Sequence, residues 1–409
     1  LEPVHLLVLG GNRLNIPAIR EAKNNGFFTY VADKNPHAAG FEVADVVVKA
    51  DIANAVELYQ AISGFPIQGI VTMAEAGVMT AATISEKLGL NGIGMHEAAR
   101  ATSKAAMREA WKDSEYSVGF FVVSNEAEMT KAVHTLGRFP LIMKPDKTFG
   151  GSRGVSRVGN MQEAEAAYRF ARDSGMNGLV VVEHCAEGNE FSCEVIIDKG
   201  ATVLLCIGEK VKSPFPYRVD CSVQYPARLS AAEEIKVQRM CGFAVEKLGI
   251  KTGVAHIEFA YTTDGPRLFE LGVRCGGGHT PVIAKHVSGI NEFVAYASIA
   301  CGLEPVLNMH PFKKGADYRF LVFPPGKVEH IRYSEELIRQ KGVLDFVLDI
   351  ADGSEIKPLQ TTANRSGCVV TTGEARDEAV ALADQICSGI SVEYADQTTS
   401  TASHFFQSA

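Results

Sequence analysis

The sequence predicts an α/β and α+β multidomain protein, and three observations carry that prediction. Strand-like and helix-like segments alternate through the first ~95 residues, the pattern of βα units on a parallel sheet. From about residue 116 short strands are grouped with two helices, and from residue 188 strands come in pairs. A chain of 409 residues, 46% hydrophobic and 22% charged, has ordinary globular composition and material for two to four domains.

The elements follow in order. HLLVLG (5–10) is a short apolar strand ending at Gly10-Gly11, too short for a signal peptide and without a basic flank. Residues 15–26 read as a helix, with Pro17 near its start and Gly26 just past its end. FTYVAD (28–33), VADVVVKA (43–50) and GIVTM (69–73) are further strands, with helices over 54–63 and 75–88. The first turn reads G-G-N-R-L-N, not G-x-G-x-x-G. Asp33 follows about 22 residues on, where a ribose-binding acid would stand. Without the fingerprint, the unit reads as a nucleotide-type fold that serves as scaffold or as a wall of a substrate pocket.

Residues 96–113 form an Ala-rich helix carrying Lys104 and the sole tryptophan, Trp111. The block 116–187 runs strand 119–123, helix 125–136, strand 140–145, glycine-rich turn, strand 155–158, helix 161–174 and strand 179–184, a unit of lid size. EFSCEVIID (190–198) and ATVLLCIGEK (201–210) make a hairpin around Lys199-Gly200. A helix spans 231–248, a second hairpin 255–274 and another helix 290–302. Strands YRFLVF and GCVVTTG and helices over 334–341 and 374–387 fill 313–395, and the Ser/Thr-rich tail reads as frayed.

Composition sets limits on partners. A net charge of −8 spread along the chain argues against a nucleic-acid binder, which would want a basic face, and leaves room for a small anion held by a few local Lys and Arg. No apolar stretch reaches the roughly 18–20 residues of a membrane span. The nine cysteines form no C-x-x-C pair and sit in apolar runs, as small buried thiols do in a reducing cytoplasm. No Cys/His group has zinc-ligand spacing.

Three segments carry chemistry. In PLIMKPDKTFGGSRGV (140–155), Lys144 closes an apolar strand, and Gly150, Gly151 and Gly154 with Ser152 let backbone N–H groups approach an anion. Taken alone, such a loop is equally a mobile hairpin. In VVVEHCAEGNEFSCE (180–194), Glu183 ends a buried strand and Glu190 lies seven residues on. The irregular segment between offers backbone to an adenine edge and Glu190 an acceptor to ribose; read singly, both acids are surface carboxylates. The most informative is AHIEFAYTTDGPRLFELGVR (255–274). A three-residue loop Thr263–Gly265 puts Glu258 opposite Glu270, and like charges so placed repel. A hard divalent cation, Mg²⁺ or Mn²⁺, removes the conflict. Period-2 geometry places Arg274 on the same face, unless the register slips by one and the hairpin merely faces solvent. Cys275, Gly276, Gly277, Gly278 and His279 follow, a loop that brings backbone close to a ligand.

The order of these pieces resembles the ATP-grasp superfamily over about residues 1–395, and within it the L-amino-acid ligases, which join two amino acids into a dipeptide. FLVFPPGKVEHI and NRSGCVVTTG resemble the small closing domain of that group. The resemblance implies an ATP-grasp fold with a Rossmann-like N-terminal domain (1–97), an ATP-grasp domain (98–312) containing a lid (about 116–187), a small C-terminal α+β domain (313–396) and a tail (397–409). It implies that Lys104 and Lys144 bind ATP phosphates and that Gly150, Gly151, Ser152 and Gly154 close over them. Glu183, with His184, Cys185 and Ala186, would read adenine, and Glu190 would hold ribose. Glu258 and Glu270 would ligate Mg²⁺. Arg274 would bind the substrate carboxylate or the developing oxyanion, assisted by Gly276, Gly277 and Gly278. The amino acid would lie between Arg274–His279 and the N-terminal domain, with Lys210–Tyr217 as one wall. Ligases of this type are often homodimers. Gly272 stands where many relatives have a further metal-binding Asn, a loss the L-amino-acid ligases share. Three other readings stay open on these residues: an ATP-grasp ligase of a purine-pathway or specialised amine, a bicarbonate-using carboxylase, and a non-catalytic nucleotide-binding regulator.

Overall fold

In the computed structural model, residues 2–214, 217–309 and 314–402 are described. The N-terminal strands pair in parallel in the order Val46–Lys49, Phe27–Asp33, Val4–Leu9, Gly69–Thr72. Asp33 accepts from the Gly11 N–H at 2.8 Å and from the Asn35 N–H, so it braces the first turn, in keeping with a scaffold.

The predicted single helix over 96–113 is two helices, Met95–Ala101 and Lys104–Trp111. The break has a local cause. The Ser103 hydroxyl accepts from the Ala106 N–H, capping the second helix, and donates to Asp146 at 2.7 Å. Asp146 also receives the Ala105 N–H, and the Lys104 N–H goes to the Asp146 carbonyl. The helix bearing Lys104 is thereby pinned to the end of the strand bearing Lys144.

The lid unit has its own sheet, in the order Phe120–Val123, Val180–His184, Leu141–Pro145, Ser156–Val158. Helices Glu126–Leu136 and Met161–Ser174 pack a separate core around Met129, Leu141 and Tyr168. The central sheet has eight strands, and its last three (Gly315–Phe320, Gly367–Gly373, Val343–Leu348) come from the C-terminal block. That block therefore continues the core sheet through the pairing of Asp220–Tyr225 with Gly315–Phe320, and adds a small sheet of its own. The boundary at 312/313 lies outside the described residues. The tail reading needs correction in part: Thr399–Thr401 pairs with Ser391–Tyr394, and residues 403–409 lie outside the described set. A helix not expected from sequence, Thr280–Ser288, has Pro281 in its first turn, a start signal that was legible. No described helix is long and apolar enough to cross a membrane. All nine cysteines are unpaired thiols.

Because Ser103 caps one helix and anchors it to the Lys144 strand, Ser103→Ala is expected to destabilise the fold by about 1–2 kcal/mol. Urea unfolding measures this; an unchanged midpoint would show the cap to be idle.

Candidate functional site

The central sheet, the lid and the C-terminal block enclose a cavity of about 1200 Å³. Twelve lysines and arginines line it against eight aspartates and glutamates, although the whole chain carries −8. The wall is positive because a few elements aim cations inward.

The strand pair Leu141–Pro145 and Val180–His184 sets the first group. Its register places Ile142 beside Glu183 and Lys144 beside Val181, so Lys144 and Glu183 are diagonal neighbours on one face. Lys144 Nζ lies 2.8 Å from Glu183. Arg108, one helical turn after Lys104, donates from Nε and Nη2 to the same carboxylate at 2.6 and 3.0 Å. All three side chains are buried. Burial drives the Lys144 ammonium down to about 8 against the pull of Glu183, and Arg108 adds to the depression. Burial would raise Glu183, but Arg108 and Lys144 hold it down at about 2. Glu183, expected to read adenine, lines the cavity with both of its oxygens engaged by Arg108 and Lys144. Arg108 was missed in the sequence, where only its i+4 spacing from Lys104 marked it.

The hairpin brings Glu258 opposite Glu270, as expected, but by a different route. The loop has two residues, Thr263 and Asp264, because Thr262 pairs with Gly265. That register alone would miss the Glu258–Glu270 pairing by one residue. A bulge at Phe269, between the Phe259–Leu268 and Glu258–Glu270 pairs, restores it. Glu270 lies 2.9 Å from Lys104 Nζ, and Glu258 lies 2.6 Å from Lys210 Nζ and 3.2 Å from His256 Nε2. Burial works against the ionised Glu258, yet Lys210 and then His256 hold its carboxyl well below the usual range. Two opposed carboxylates on a cavity wall are a donor pair that fits a hard divalent cation such as Mg²⁺, which would need further ligands from outside the protein. Among the described residues no group of three or more His, Cys, Asp or Glu could hold a metal unaided. At Gly272, where a third ligand was missing, a Cβ would come within 3.5 Å of Glu75 Oε2 and 3.6 Å of Arg274 Cζ. The Arg274–Glu75 ion pair, at 3.1 Å, fills that space. Glu75 comes from the N-terminal domain, and nothing in its own sequence context marked it.

The loop after Arg274 requires two corrections. Gly276 was expected to offer its N–H to an oxyanion. That N–H donates instead to the fully buried Glu194 at 3.0 Å, and Gly277 and Gly278, not Gly276, line the cavity. Glu194 also meets His256 Nδ1 at 2.6 Å, and Glu194 outweighs burial to push the imidazole up to about 9. His279 was expected to touch substrate. It is 2% exposed, stands just before the helix Thr280–Ser288 without a side-chain cap bond, lies outside the cavity lining, and its Nε2 meets Asp345 at 2.5 Å. It ties this loop to the C-terminal block.

The remaining expected residues divide. Gly150, Gly151 and Ser152 line the cavity in left-handed conformations, and a Cβ on Gly151 would meet Thr362 Oγ1 of the C-terminal block at 3.0 Å. Gly154 does not line it; a Cβ there would strike Ser174 at 2.7 Å, so its smallness serves lid packing. His184, Cys185 and Ala186 line the cavity, but the N–H groups of His184 and Cys185 go to the carbonyls of Gly119 and Pro140. Glu190 is paired with Lys212 at 3.1 Å and Arg218 at 2.7 Å. Of the expected wall Lys210–Tyr217, Lys210, Lys212 and Tyr217 line the cavity, and Phe215 and Pro216 lie outside the described residues.

Comparison with known proteins places this geometry. Residues 137–282 match the ATP-grasp domain family, and residues 319–395 match the L-amino acid ligase C-terminal domain 2. The L-arginine-specific L-amino acid ligase of Bacillus subtilis is 23% identical over 314 residues, covering 73% of this chain and 73% of that protein. The crystal structure of L-amino acid ligase from Bacillus licheniformis superposes with a TM-score of 0.82 at 21% identity, over 96% of this chain and 99% of that one. Phosphoribosylglycinamide synthetase from Anaerococcus prevotii gives 0.76 at 21% identity, over 96% of this chain and 100% of that one. At these identities the superpositions establish the fold.

His279→Ala removes a part-buried hydrogen bond to an ionised partner. It is expected to lower stability by about 1–3 kcal/mol and to leave ligand preference unchanged. Altered preference at unaltered stability would return His279 to the substrate.

Proposed function

The chain carries an ATP-grasp domain and resembles the L-amino-acid ligases, and from that premise we propose that it is an ATP-dependent, ADP-forming carboxylate–amine ligase that joins two L-amino acids. The observation that carries the reading is the cavity wall itself: Lys104 and Lys144 stand beside the opposed pair Glu258–Glu270, with Arg274 next to them. A triphosphate needs clustered cations, and a carboxylate becomes electrophilic only once phosphorylated. Lys104 and Lys144 bind and orient the phosphates. Glu258 and Glu270 would hold Mg²⁺, which supplies charge neutralisation at the transferred phosphoryl group. Their present partners, Lys210, His256 and Lys104, keep the acids ionised and placed.

Arg274, fixed by Glu75, presents its guanidinium to the donor carboxylate. Its charge, with backbone at Gly277 and Gly278, stabilises the oxyanion that forms when the amine attacks the acyl phosphate. Phosphate leaves, and amide, ADP and phosphate result. An acyl phosphate hydrolyses in water, so the reaction needs a closed site. The glycine loop against Thr362 supplies contact between lid and C-terminal block. A second reading, a ligase acting on a purine-pathway amine, is favoured by the likeness to phosphoribosylglycinamide synthetase. Phosphate release measured over all pairs of common amino acids and a set of ribotide amines separates the two.

Glu270→Gln and Lys144→Ala are each expected to abolish amino-acid-dependent phosphate release with the fold retained by circular dichroism. Near-normal turnover in either defeats the assignment. The pH profile gives an independent check. Lys144, ionising near 8 in the free protein, is charged below that pH and neutral above it. Accordingly kcat/KM for ATP should fall as pH rises through about 8, and Lys144→Arg should carry the activity limb beyond about pH 10. A profile flat from about pH 7 to 9 takes Lys144 off the phosphates.

A further inference from the structure

Resting on the ligase reading, we propose that Arg365 anchors the carboxylate of the acceptor, so that the attacking amine belongs to an α-amino acid rather than to a simple amine. Arg365 lies between the turn Thr362–Asn364 and the strand Gly367–Gly373, and it lines the cavity. Its guanidinium carbon lies 3.5 Å from the centre of the Phe320 ring, and its Nε donates to the Asp220 carbonyl at 3.0 Å. Stacking and that bond fix the plane of the group, which is the preparation a bidentate acceptor needs.

What the guanidinium lacks is a close counter-ion. Its side chain is 14% exposed, and among the described residues its nearest carboxylate, that of Asp220, is 4.0 Å from Nη2. Asp220 is closer to Lys212 (2.8 Å) and Lys210 (3.4 Å), so two lysines already answer its charge. Arg108 and Arg274, on the same wall, are each hydrogen-bonded to a glutamate. Burial holds the Arg365 pKa below the usual arginine range, Asp220 notwithstanding. A largely covered cation whose nearest carboxylate is 4.0 Å away and shared with two lysines gains from an arriving anion.

Its position selects which anion. Lys210, which contacts Asp220, also contacts Glu258, so Arg365 stands two side chains from the proposed metal carboxylate. An α-amino acid places its carboxylate one carbon from its amine. A carboxylate held by Arg365 therefore keeps the amine close to the reacting centre, while Arg274 is left to the donor. A guanidinium binds phosphate by the same fork, and the phosphate of a ribotide amine shares this chemistry.

The experiment compares acceptor amino acids with their amides, which keep the amine and lose the anion, and with ribotide amines. Rates are measured for the wild type, R365A and R365K, each first shown by thermal unfolding to be folded. The wild type should favour the acid over its amide by about tenfold to a hundredfold. R365A should raise KM for the acid by a similar factor, leave KM for ATP unchanged and erase the acid–amide preference, with R365K only partly restoring it. An acid–amide ratio within twofold of wild type in R365A overturns the proposal. So does turnover confined to ribotide amines, the result that also sinks the dipeptide reading; turnover with amino acids but an unmoved ratio sinks the Arg365 assignment alone.

Discussion

A cavity wall that carries twelve cations against eight carboxylates must hold those cations in place without a ligand. Most of the rest of the structure follows from that constraint. Glu183, buried between Lys144 and Arg108, is its centre. Three charges leave water together, which is tolerable because the Arg108 fork and the Lys144 ammonium satisfy both carboxylate oxygens. The same device recurs around the cavity. Lys104 is answered by Glu270, Lys210 by Glu258, Lys212 and Arg218 by Glu190, and Arg274 by Glu75. Each of these acids positions a cation, and an excess of positive charge remains on the wall.

This arrangement also ties domains together. Arg108 belongs to the helix that follows the N-terminal domain, Glu183 to the lid sheet and Glu258 to the core sheet. Arg274 reaches back 199 residues to Glu75. His279 meets Asp345, and Gly151 lies against Thr362, both on the C-terminal block. The contacts that shape the cavity are thus the contacts between its parts, so a shift of any one part would disturb ion pairs on the cavity wall.

The hairpin 253–272 shows how far one-dimensional reading reaches. A three-residue loop was expected to set Glu258 opposite Glu270, with alternation in HIEFA and LFELG putting both on one face, and the structure has them opposite. Yet the loop is one residue shorter than expected, and a bulge at Phe269 compensates. Alternation reports which face a residue occupies, and it is indifferent to where along the strands an extra residue is absorbed. The loop 275–279 shows the limit. Three glycines before a histidine suggested backbone donors and a substrate side chain. Glu194, on another strand, takes the Gly276 N–H, and Asp345, on a third, takes His279.

Fold class, the parallel N-terminal unit, the separate block 116–187 and the Glu258–Glu270 pairing were all legible in the sequence itself. Each rests on local period, turn chemistry or the order of segments along the chain, and these are properties of single elements. The partners of those residues were decided only in three dimensions. Arg108 and Glu183 are 75 residues apart, and no pattern within either helix or strand records that their faces meet. Whether a buried charge is a ligand-binding group or a satisfied pair depends on which opposite charge lies within a few ångströms of it. That distance is set by how the elements dock, which is why the partners of Glu183, Gly276 and His279 could not be read from the sequence and why Arg365 became visible only once Phe320, Asp220 and the two lysines stood around it.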